Sequence, residues 1–261
     1  MPAFSAYAAS QVFTPGAPIS RKDCFSGRSA ELQRIMEAIS APGRHPVIFG
    51  QRGVGKTSLA NIVGELSTAG IAAKVSCDGS DTFRSIWTRL LRDASYEFKM
   101  QAFGFNRHEV VSKVSLADFL GVEVEDVTPA EVCRVLSMVR GLAIFILDEF
   151  DKVTEPKTRS QMADLIKAVS DSIHHVTIIT VGVAEDINQL IGNHPSVERN
   201  LAQIELPTMS PDEISAIVTN GWDKLKLPYA ADIPGQVVFL SNGYPLRSSL
   251  GAERRLGVLP Q

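Results

Sequence analysis

The sequence predicts an α/β fold, with helices on both faces of a central parallel sheet and a small helical unit after it. Three strand-like runs support this prediction, residues 46–49, 142–147 and 176–182. The second run is continuously apolar, as a strand buried on both faces of a parallel sheet needs to be. Stretches with helical spacing of apolar residues separate the runs, so strands and helices alternate along the chain.

The composition is that of a soluble globular protein with a core of ordinary size. The chain has 261 residues, of which 44% are hydrophobic and 21% are charged. Its net charge of −3 argues against a protein that binds nucleic acid over its whole surface. No apolar run is long enough to span a bilayer, and the first residues lack the pattern of a secretory signal. We therefore expect a cytoplasmic protein without membrane contacts.

Three cysteines, Cys24, Cys77 and Cys133, are scattered along the chain. None has a second cysteine or a histidine nearby at metal-binding spacing. We expect them to be buried thiols in a reducing compartment.

Residues 1–20 are expected to form an N-terminal arm or linker outside the core. They contain Ala, Ser, Pro and Gly with a few aromatic residues, Phe4, Tyr7 and Phe13. Such a segment cannot bury enough apolar surface to fold by itself. It is either a disordered tail or an arm whose aromatic side chains pack on the domain or on a neighbour.

A glycine-rich loop follows the first strand and leads into a helix. Residues 50–57 fit G-x-x-x-x-G-K-[ST], the phosphate-binding loop. Glycines let backbone N–H groups turn toward an anion, and the positive N-terminal end of the following helix attracts it. Lys56 would reach the β- and γ-phosphates of ATP, and the Thr57 hydroxyl would bind Mg²⁺. The candidate nucleotide contacts of this segment are Gly50, Gln51, Arg52, Gly53, Val54, Gly55, Lys56, Thr57 and Ser58.

Between the loop and residue 139, apolar spacing predicts helices around a second strand. One helix follows the loop to about Gly70, a strand covers residues 71–77, and further helices cover 83–91 and begin at Thr128-Pro129.

Residues 97–128 show no regular pattern. Aromatic and basic side chains alternate there: Phe98, Lys99, Phe103, Phe105, Arg107, His108 and Lys113. Such mixing is found in single-strand nucleic-acid binders, and also in insertions that pack on a core by their aromatic residues. We favour the insertion, because no nucleic-acid-binding motif accompanies it.

The apolar run 142–147 ends in two carboxylates, Asp148 and Glu149. Ligands of open α/β sheets bind at the carboxyl ends of the strands, where these side chains lie. Asp148 is a candidate Mg²⁺ ligand, and Glu149 is a candidate base for the attacking water. The alternative is a strand followed by a solvated acidic turn.

The phosphate loop and a strand ending in Asp148-Glu149 together resemble the additional-strand catalytic Glu division of P-loop ATPases. Residues 25–32, just upstream, fit F-x-G-R-x-x-E-L, which is typical of AAA+ and STAND ATPases near the origin-recognition and ExeA-like branches. The resemblance covers about residues 23–250. It implies a P-loop NTPase core of three layers, αβα, with Phe25 and Arg28 beside the adenine and ribose of ATP.

The resemblance also implies sensing and transfer positions after residue 176. The strand 176–182 should end in a polar sensor of the γ-phosphate, for which Thr180 and Glu185 are candidates without a clean match. An arginine before the last strand reaches the ATP of a neighbouring subunit in AAA+ proteins, and Arg199 stands at that place. Arg199 is equally compatible with a solvated surface arginine.

From Pro211 the pattern is helical and resembles the small lid of the family. Gly243-Tyr244-Pro245 is similar to the G-x-P of STAND ATPases, whose proline lies against the base, so Pro245 is a candidate nucleotide contact. The tripeptide is also compatible with a plain turn between lid helices. Arg247 is one residue out of register with the usual sensor arginine.

We expect three units: the arm 1–20, the P-loop ATPase core 21–207 and the helical lid 208–261. The phosphate-loop strand should be central in the sheet and next to the strand that ends at Asp148. Few residues remain after the lid, so the output should pass to another molecule unless the chain is a fragment.

The expected activity is Mg²⁺-dependent hydrolysis of ATP, with Lys56, Glu149 and Arg199 as candidate catalytic residues and Thr57 and Asp148 as candidate Mg²⁺ ligands. The resemblance implies a molecular switch that self-associates and controls a separate effector protein, as STAND-like regulators in bacterial defence and signalling do. A DNA-associated ATPase, similar to initiator or transposition regulators, is the alternative that the acidic net charge disfavours. A small-molecule kinase would need an arginine-rich acceptor lid, which the sequence does not show.

Overall fold

The computed structural model describes residues 12–14, 17–67, 70–101, 109–120, 127–183, 195–226 and 230–245. Five parallel strands form a central sheet, and two antiparallel strands form a separate hairpin. The strands are β1 (His45–Phe49), β2 (Ile71–Ser76), β3 (Ser95–Gln101), β4 (Glu109–Ser115), β5 (Ala143–Asp148), β6 (Val176–Gly182) and β7 (Leu201–Glu205). The predicted α/β class with a central parallel sheet is confirmed.

Helices cover both faces of this sheet. The α-helices within the described residues are α1 (Ser29–Ser40), α2 (Lys56–Leu66), α3 (Phe83–Asp93), α4 (Leu116–Leu120), α5 (Pro129–Met138), α6 (Pro156–Ser172), α7 (Pro195–Glu198), α8 (Pro211–Leu225) and α9 (Ile233–Ser241). Several begin at a side chain that satisfies a free backbone N–H group. Thr82, Thr128 and Ser210 each accept a hydrogen bond from the N–H group three residues on.

The inner strand β5 shows why the fold has three layers. Its alternate side chains belong to two separate apolar clusters. Phe145 and Leu147 pack with residues of α3, α5 and α6, whereas Ile144 and Ile146 pack with residues of α1 and α2. All six strand residues are buried, as the continuous apolar run predicted.

The order of the strands differs from the expected one. The order is β2-β5-β6-β1-β7, so β6 lies between the phosphate-loop strand and the strand that ends at Asp148. The prediction that these two strands are neighbours is therefore wrong, and β6, not β1, is the middle strand. Strands β1, β5 and β6 are each buried along their whole length, so the pattern of apolar residues does not reveal which of them pair.

The irregular stretch after α3 contains the hairpin of β3 and β4, in which Ser95 pairs with Ser115 and Gln101 with Glu109. Phe98, Lys99 and Lys113 lie in its strands. Phe103, Phe105, Arg107 and His108 lie outside the described residues, and so do residues 121–126. The interpretation of this stretch as an insertion, and not as a nucleic-acid contact, therefore stays a prediction.

The arm and the lid pack on each other. Phe13 is 2% exposed and lies in a cluster with Val218 and Trp222 of α8 and Val237 of α9. The rings of Phe13 and Trp222 meet edge to face, with centroids 5.5 Å apart. Residues 12–14 therefore belong to an arm that packs on the domain, which was one of the two alternatives for this segment. Phe4 and Tyr7 lie outside the part of the chain that is described.

Cys77 is buried as expected, whereas the other two cysteines are not. Cys77 follows β2 and is buried, and burial raises the pKa of its thiol to about 12. Cys24 and Cys133 are half-buried, because both lie near the surface of the domain. Within the described residues, no helix is long and apolar enough to cross a membrane.

Candidate active site

The phosphate loop joins β1 to α2 and turns at its glycines. Gly55 has a φ of 98°, in the left-handed region that favours glycine, and directly precedes Lys56, the first residue of α2. A Cβ on Gly50 would lie 2.4 Å from the carbonyl oxygen of Leu206, so only glycine fits this close approach. The positive N-terminal end of α2 consequently faces the carboxyl edge of the sheet.

Lys56 is nearly buried, and its ammonium group lies against its own loop. Nζ donates hydrogen bonds to the carbonyl oxygens of Gly50 at 2.8 Å and Gln51 at 2.7 Å. Burial lowers the pKa of Lys56, while the carboxylates of Asp151 and Asp148 act in the opposite direction. Phosphate oxygens in this loop would compete with the two carbonyl groups for the same donors.

Asp148 lies at the end of β5 and is 2% exposed. Its Oδ1 atom accepts hydrogen bonds from the Thr57 hydroxyl at 3.2 Å and from the backbone N–H group of Glu149 at 3.0 Å. Its Oδ2 atom lies 2.8 Å from Nζ of Lys74 on β2. The carboxylate and the Thr57 hydroxyl thus converge, although their elements are far apart in sequence.

Glu149 has a φ of 56°, which turns its side chain back toward β2. Its carboxylate accepts a hydrogen bond from the Ser76 hydroxyl at 3.0 Å and pairs with Lys152 at 2.7 Å. The hydrogen bond from Lys152 is the main favourable cause that holds the pKa of Glu149 below its usual value, against a smaller opposing effect of burial. The group is charged at neutral pH, as a base for water has to be.

These groups line a cavity of about 360 Å³ at the carboxyl edge of the sheet. Its basic side carries Arg52 and Lys56 beside the N-terminus of α2, and its acidic side carries Asp148, Glu149 and Asp151. Phosphates fit the first side, and Mg²⁺ fits the second, because carboxylate and hydroxyl oxygens are its usual ligands. The predicted nucleotide and metal residues that line the cavity are Arg52, Gly53, Gly55, Lys56, Thr57, Ser58, Asp148, Glu149 and Pro245.

The sequence matches the model of the family described as novel STAND NTPase 1 over residues 18–238. The chain belongs to this STAND NTPase family. The predicted resemblance to AAA+ and STAND-like P-loop ATPases is thereby confirmed. A search of the curated proteins found no significant match.

Solved structures show the same fold. The Walker-type ATPase PABY2304 of Pyrococcus abyssi has a TM-score of 0.69 and 18% identity, over 93% of this chain and 71% of that one. ORC1 of Aeropyrum pernix in complex with DNA has a TM-score of 0.58 and 18% identity, over 94% and 64%. The RuvB Holliday junction branch migration motor of Thermotoga maritima has a TM-score of 0.51 and 13% identity, over 91% and 64%. This chain spans less than two thirds of the ORC1 and RuvB chains, and at these identities the likenesses show the fold alone.

In this STAND NTPase, Arg28 lies behind the phosphate loop, not in the cavity wall. Its side chain is 3% exposed, and Nη2 donates to the carbonyl oxygens of Val54, at 3.2 Å, and Pro207. Its backbone N–H group donates to Glu213 of α8 at 2.8 Å. Phe25 packs against the apolar cluster of α1 and α2. Neither residue lines the cavity, and Arg28 instead joins the loop to the lid.

The lid of the STAND NTPase contacts the front of the phosphate loop. The Tyr244 hydroxyl donates to Oε1 of Gln51 at 2.8 Å. A Cβ on Gly55 would lie 3.6 Å from Cγ of Pro245, so this proline lies directly over the loop. The sequence pattern predicted Pro245 as a nucleotide contact but did not indicate Tyr244. The Tyr244 hydroxyl reaches the loop only because the lid folds against it.

The arm also forms part of the cavity wall, which the sequence did not indicate. Thr14, Ala17, Pro18 and Ile19 line the cavity. The N–H group of Ile19 donates to the Ser58 hydroxyl at 3.0 Å. Short stretches of small and apolar residues in a Pro- and Gly-containing tail carry no signal of such a contact.

Thr180 does not line the cavity, although it is one of the candidate sensors. Thr180 lies within β6 opposite Val47, is 1% exposed, and its hydroxyl has no hydrogen-bond partner among the described residues. Gly182 and Val183, at the end of the strand, line the cavity in its place. Glu185 and Arg247 lie outside the described residues.

Arg199 lies at the opposite edge of the sheet from its own phosphate loop. It precedes β7, whose first residue pairs with His45, the first residue of β1. Its side chain is exposed, and Nε donates to Oδ1 of Asn200 at 3.2 Å. Since the phosphate loop follows the last residue of β1, Arg199 is one strand length away, roughly 16 Å.

Proposed function

We propose that this STAND NTPase is a Mg²⁺-dependent ATPase that acts as a molecular switch for a partner protein in the cytoplasm. One observation carries the proposal: Lys56, the Thr57–Asp148 pair and Glu149 meet at a single cavity beside a helix N-terminus. Each has the chemistry that one part of phosphoryl transfer to water requires.

In the proposed reaction, the N–H groups of the phosphate loop and Lys56 bind the β- and γ-phosphates. Thr57 and Asp148 would hold Mg²⁺, which would supply positive charge against the phosphate oxygens. Glu149 accepts a proton from the attacking water and returns it with the product. Ser76 positions Glu149 from β2, because it donates to the carboxylate at 3.0 Å.

The internal contacts of these groups support a switch that rests in an inactive state. Lys56 donates to its own loop, Glu149 pairs with Lys152, and Asp148 pairs with Lys74. A nucleotide has to displace these partners, so binding is linked to a rearrangement of several elements. A change of shape on binding is what an effector protein or a second copy of the chain would recognise, as in STAND-like regulators of bacterial defence and signalling.

The test is binding of ATP to Lys56→Ala, measured by calorimetry in Mg²⁺. We expect the variant to bind ATP on the order of a hundredfold more weakly, because it loses hydrogen bonds from a cation to the phosphates, which contribute up to ~3 kcal/mol. The melting temperature should stay close to that of the wild type, since the ammonium group faces the cavity. Lys167→Ala, an exposed lysine of α6, is the matched control. Unchanged affinity in a folded Lys56→Ala protein would end the proposal.

A DNA-associated ATPase is the second candidate. The likeness to ORC1, which was solved in complex with DNA, favours it. The net charge of −3 opposes it, because duplex binding depends on basic side chains that release counterions from phosphates. Binding to plain duplex DNA that weakens steeply with salt would establish this candidate, and its absence at low salt would remove it.

A further inference from the structure

Lys74 is the charged residue of β2, and the proposed reaction does not use it. It lies in β2 between Ala73 and Val75, and its side chain is 28% exposed. Nζ lies 2.8 Å from Oδ2 of Asp148 and donates to Oδ1 of Asn61 on α2 at 2.6 Å. One ammonium group therefore joins the metal-site carboxylate to the helix that follows the phosphate loop.

The connection continues from Asn61 to the N-terminal arm. Nδ2 of Asn61 donates to the carbonyl oxygen of Ile19 at 3.1 Å, beside the bond from Ile19 to the Ser58 hydroxyl. Lys74 orients the Asn61 amide, because its donated hydrogen bond fixes Oδ1 and leaves Nδ2 for the arm. The arm thus makes two hydrogen bonds with α2, one of which depends on Lys74.

The arm in turn is fixed to the lid at its other described end. Phe13 is buried among α8 and α9, six residues before Ile19. Between these two points the arm lines the nucleotide cavity through Ala17 and Pro18. A change at Asn61 is therefore transmitted to a segment that touches both the cavity and the lid.

We propose that Lys74 couples metal binding to the arm: it competes with the divalent cation for Asp148 and, through Asn61, holds the arm on α2. This inference rests on the proposed function, because it takes Asp148 as the Mg²⁺ ligand. Lys74 is a positioning residue and contacts neither phosphate nor water in the reaction.

The competition between Lys74 and the divalent cation follows from the charges at Asp148. Asp148 carries a single negative charge, and its Oδ2 atom is already paired with the ammonium group of Lys74. A divalent cation at the same carboxylate is repelled by that ammonium group, which weakens metal binding on the order of tenfold at a partly exposed site. When the carboxylate turns to the metal, Lys74 loses its ion pair, and its bond to Asn61 no longer has a fixed geometry.

The first test measures the dissociation constant of a fluorescent ATP analogue in excess EDTA and in excess Mg²⁺. We call the dissociation constant in EDTA divided by that in Mg²⁺ the metal factor, so a larger value means that the metal strengthens binding more. Lys74→Met keeps the length of the side chain and removes its charge, so its metal factor should exceed that of the wild type on the order of tenfold. Lys74→Arg should restore the wild-type ratio, because it keeps the charge. Lys167→Met on the surface of α6 is the control and should change nothing.

Lys74→Gln provides the same test if Lys74→Met does not fold, since the amide still donates to Asp148 without a positive charge. A wild-type metal factor in the folded Met or Gln variant overturns the coupling and leaves the proposed function intact. Failure of the analogue to bind the wild type overturns both.

The second test follows hydrogen exchange of residues 12–20 by mass spectrometry. With a non-hydrolysable ATP analogue, the arm of the wild type should exchange faster in Mg²⁺ than in EDTA. Lys74→Met and Asn61→Leu should both exchange fast without nucleotide, and Asn61→Leu should keep the wild-type metal factor because the Lys74–Asp148 pair remains. Slow, wild-type exchange in both variants would show that Lys74 does not hold the arm.

Discussion

The carboxylate of Glu149 is already bound by two neighbouring side chains of its own chain. Ser76 and Lys152 fix its carboxylate, and its backbone adopts the left-handed conformation at φ 56°. Both contacts are made by the same oxygen, Oε2, and the ion pair lowers the basicity of the carboxylate, so hydrolysis should depend on the contact with Lys152.

We predict that Glu149→Gln binds ATP like the wild type and hydrolyses it roughly 10²- to 10⁴-fold more slowly, the range for loss of a general base. The amide keeps the shape and the bond from Ser76, and it cannot accept a proton from water. Phosphate release under saturating ATP is the measurement, with Glu37→Gln on α1 as the control. Wild-type turnover in Glu149→Gln, together with loss of turnover in Asp148→Ala, would refute the assignment of Glu149.

His45 is a buried residue outside the site whose titration affects stability. It is 0% exposed, its Nδ1 atom accepts the N–H group of Ile178 at 3.0 Å, and burial lowers its pKa from 6.5 to about 4. The folded state holds it neutral, whereas the unfolded chain protonates it below pH 6.5. Its contribution to stability is therefore complete above the unfolded pKa and is lost as the pH falls from 6.5 toward 4.

We predict that this one group lowers the free energy of unfolding by roughly 3 kcal/mol between these pH values. Urea unfolding at a series of pH values measures it. His45→Asn keeps an acceptor for Ile178 and does not titrate, so the difference between the two proteins isolates His45 from the carboxylates. Parallel pH curves for the two proteins would contradict the prediction.

The residues of the site differ in how far the local sequence determines their position. Lys56 and Thr57 could be predicted, because the loop and the start of α2 fix them within a few residues of backbone. Asp148 followed from the end of a buried strand. Lys74 and Ser76 reach the site only because β2 pairs with β5, where Ser76 lies opposite Asp148. No local pattern in an apolar strand specifies its neighbour, so these two residues could not be found.

Among the elements, the arm and the lid form one packed unit through a small residue of α8. A Cβ on Gly221 would lie 2.2 Å from Cζ of Phe13, a ring that is itself buried. The sequence predicted the helices of the lid but left two alternatives for the arm. The fit of the Phe13 ring against Gly221 depends on the folded surfaces and leaves no pattern in the sequence.

We predict that Gly221→Ala displaces Phe13 from this position and destabilises the docked arm by about 1–3 kcal/mol, the cost of overpacking a filled site. Faster hydrogen exchange of residues 12–20 is the measurement. Gly235→Ala on α9 is the matched control, because no atom of the described residues lies within 4 Å of its added Cβ and alanine favours a helix. Equal exchange in the two variants would show that Phe13 does not depend on the space at Gly221.

For the whole molecule, the two edges of the sheet carry different chemistry. The carboxyl edge holds the cavity with its loop, carboxylates, arm and lid. The amino edge carries exposed arginines, among them Arg44 before β1 and Arg199 before β7. An arginine on the edge away from its own cavity can complete a site only in another copy of the chain, so the role of Arg199 is a question of assembly.

We predict that Arg199→Ala binds ATP like the wild type and hydrolyses it on the order of a thousandfold more slowly, the loss expected for an arginine that stabilises transition-state charge. The specific activity of the wild type should rise with protein concentration, because two copies have to meet. Arg44→Ala removes the same charge from the same edge and should keep wild-type turnover.

Mixing variants separates a shared site from a damaged fold. Arg199→Ala retains an intact phosphate loop, and Lys56→Ala retains an intact Arg199, so an assembly of the two contains complete sites and should recover part of the activity. Neither variant has a complete site when assembled with itself. Normal turnover in Arg199→Ala, combined with a specific activity of the wild type that is independent of concentration, would make Arg199 a solvated surface residue. The proposed switch would then work within a single chain, with Lys74 and the arm as the proposed route from the cavity to the lid.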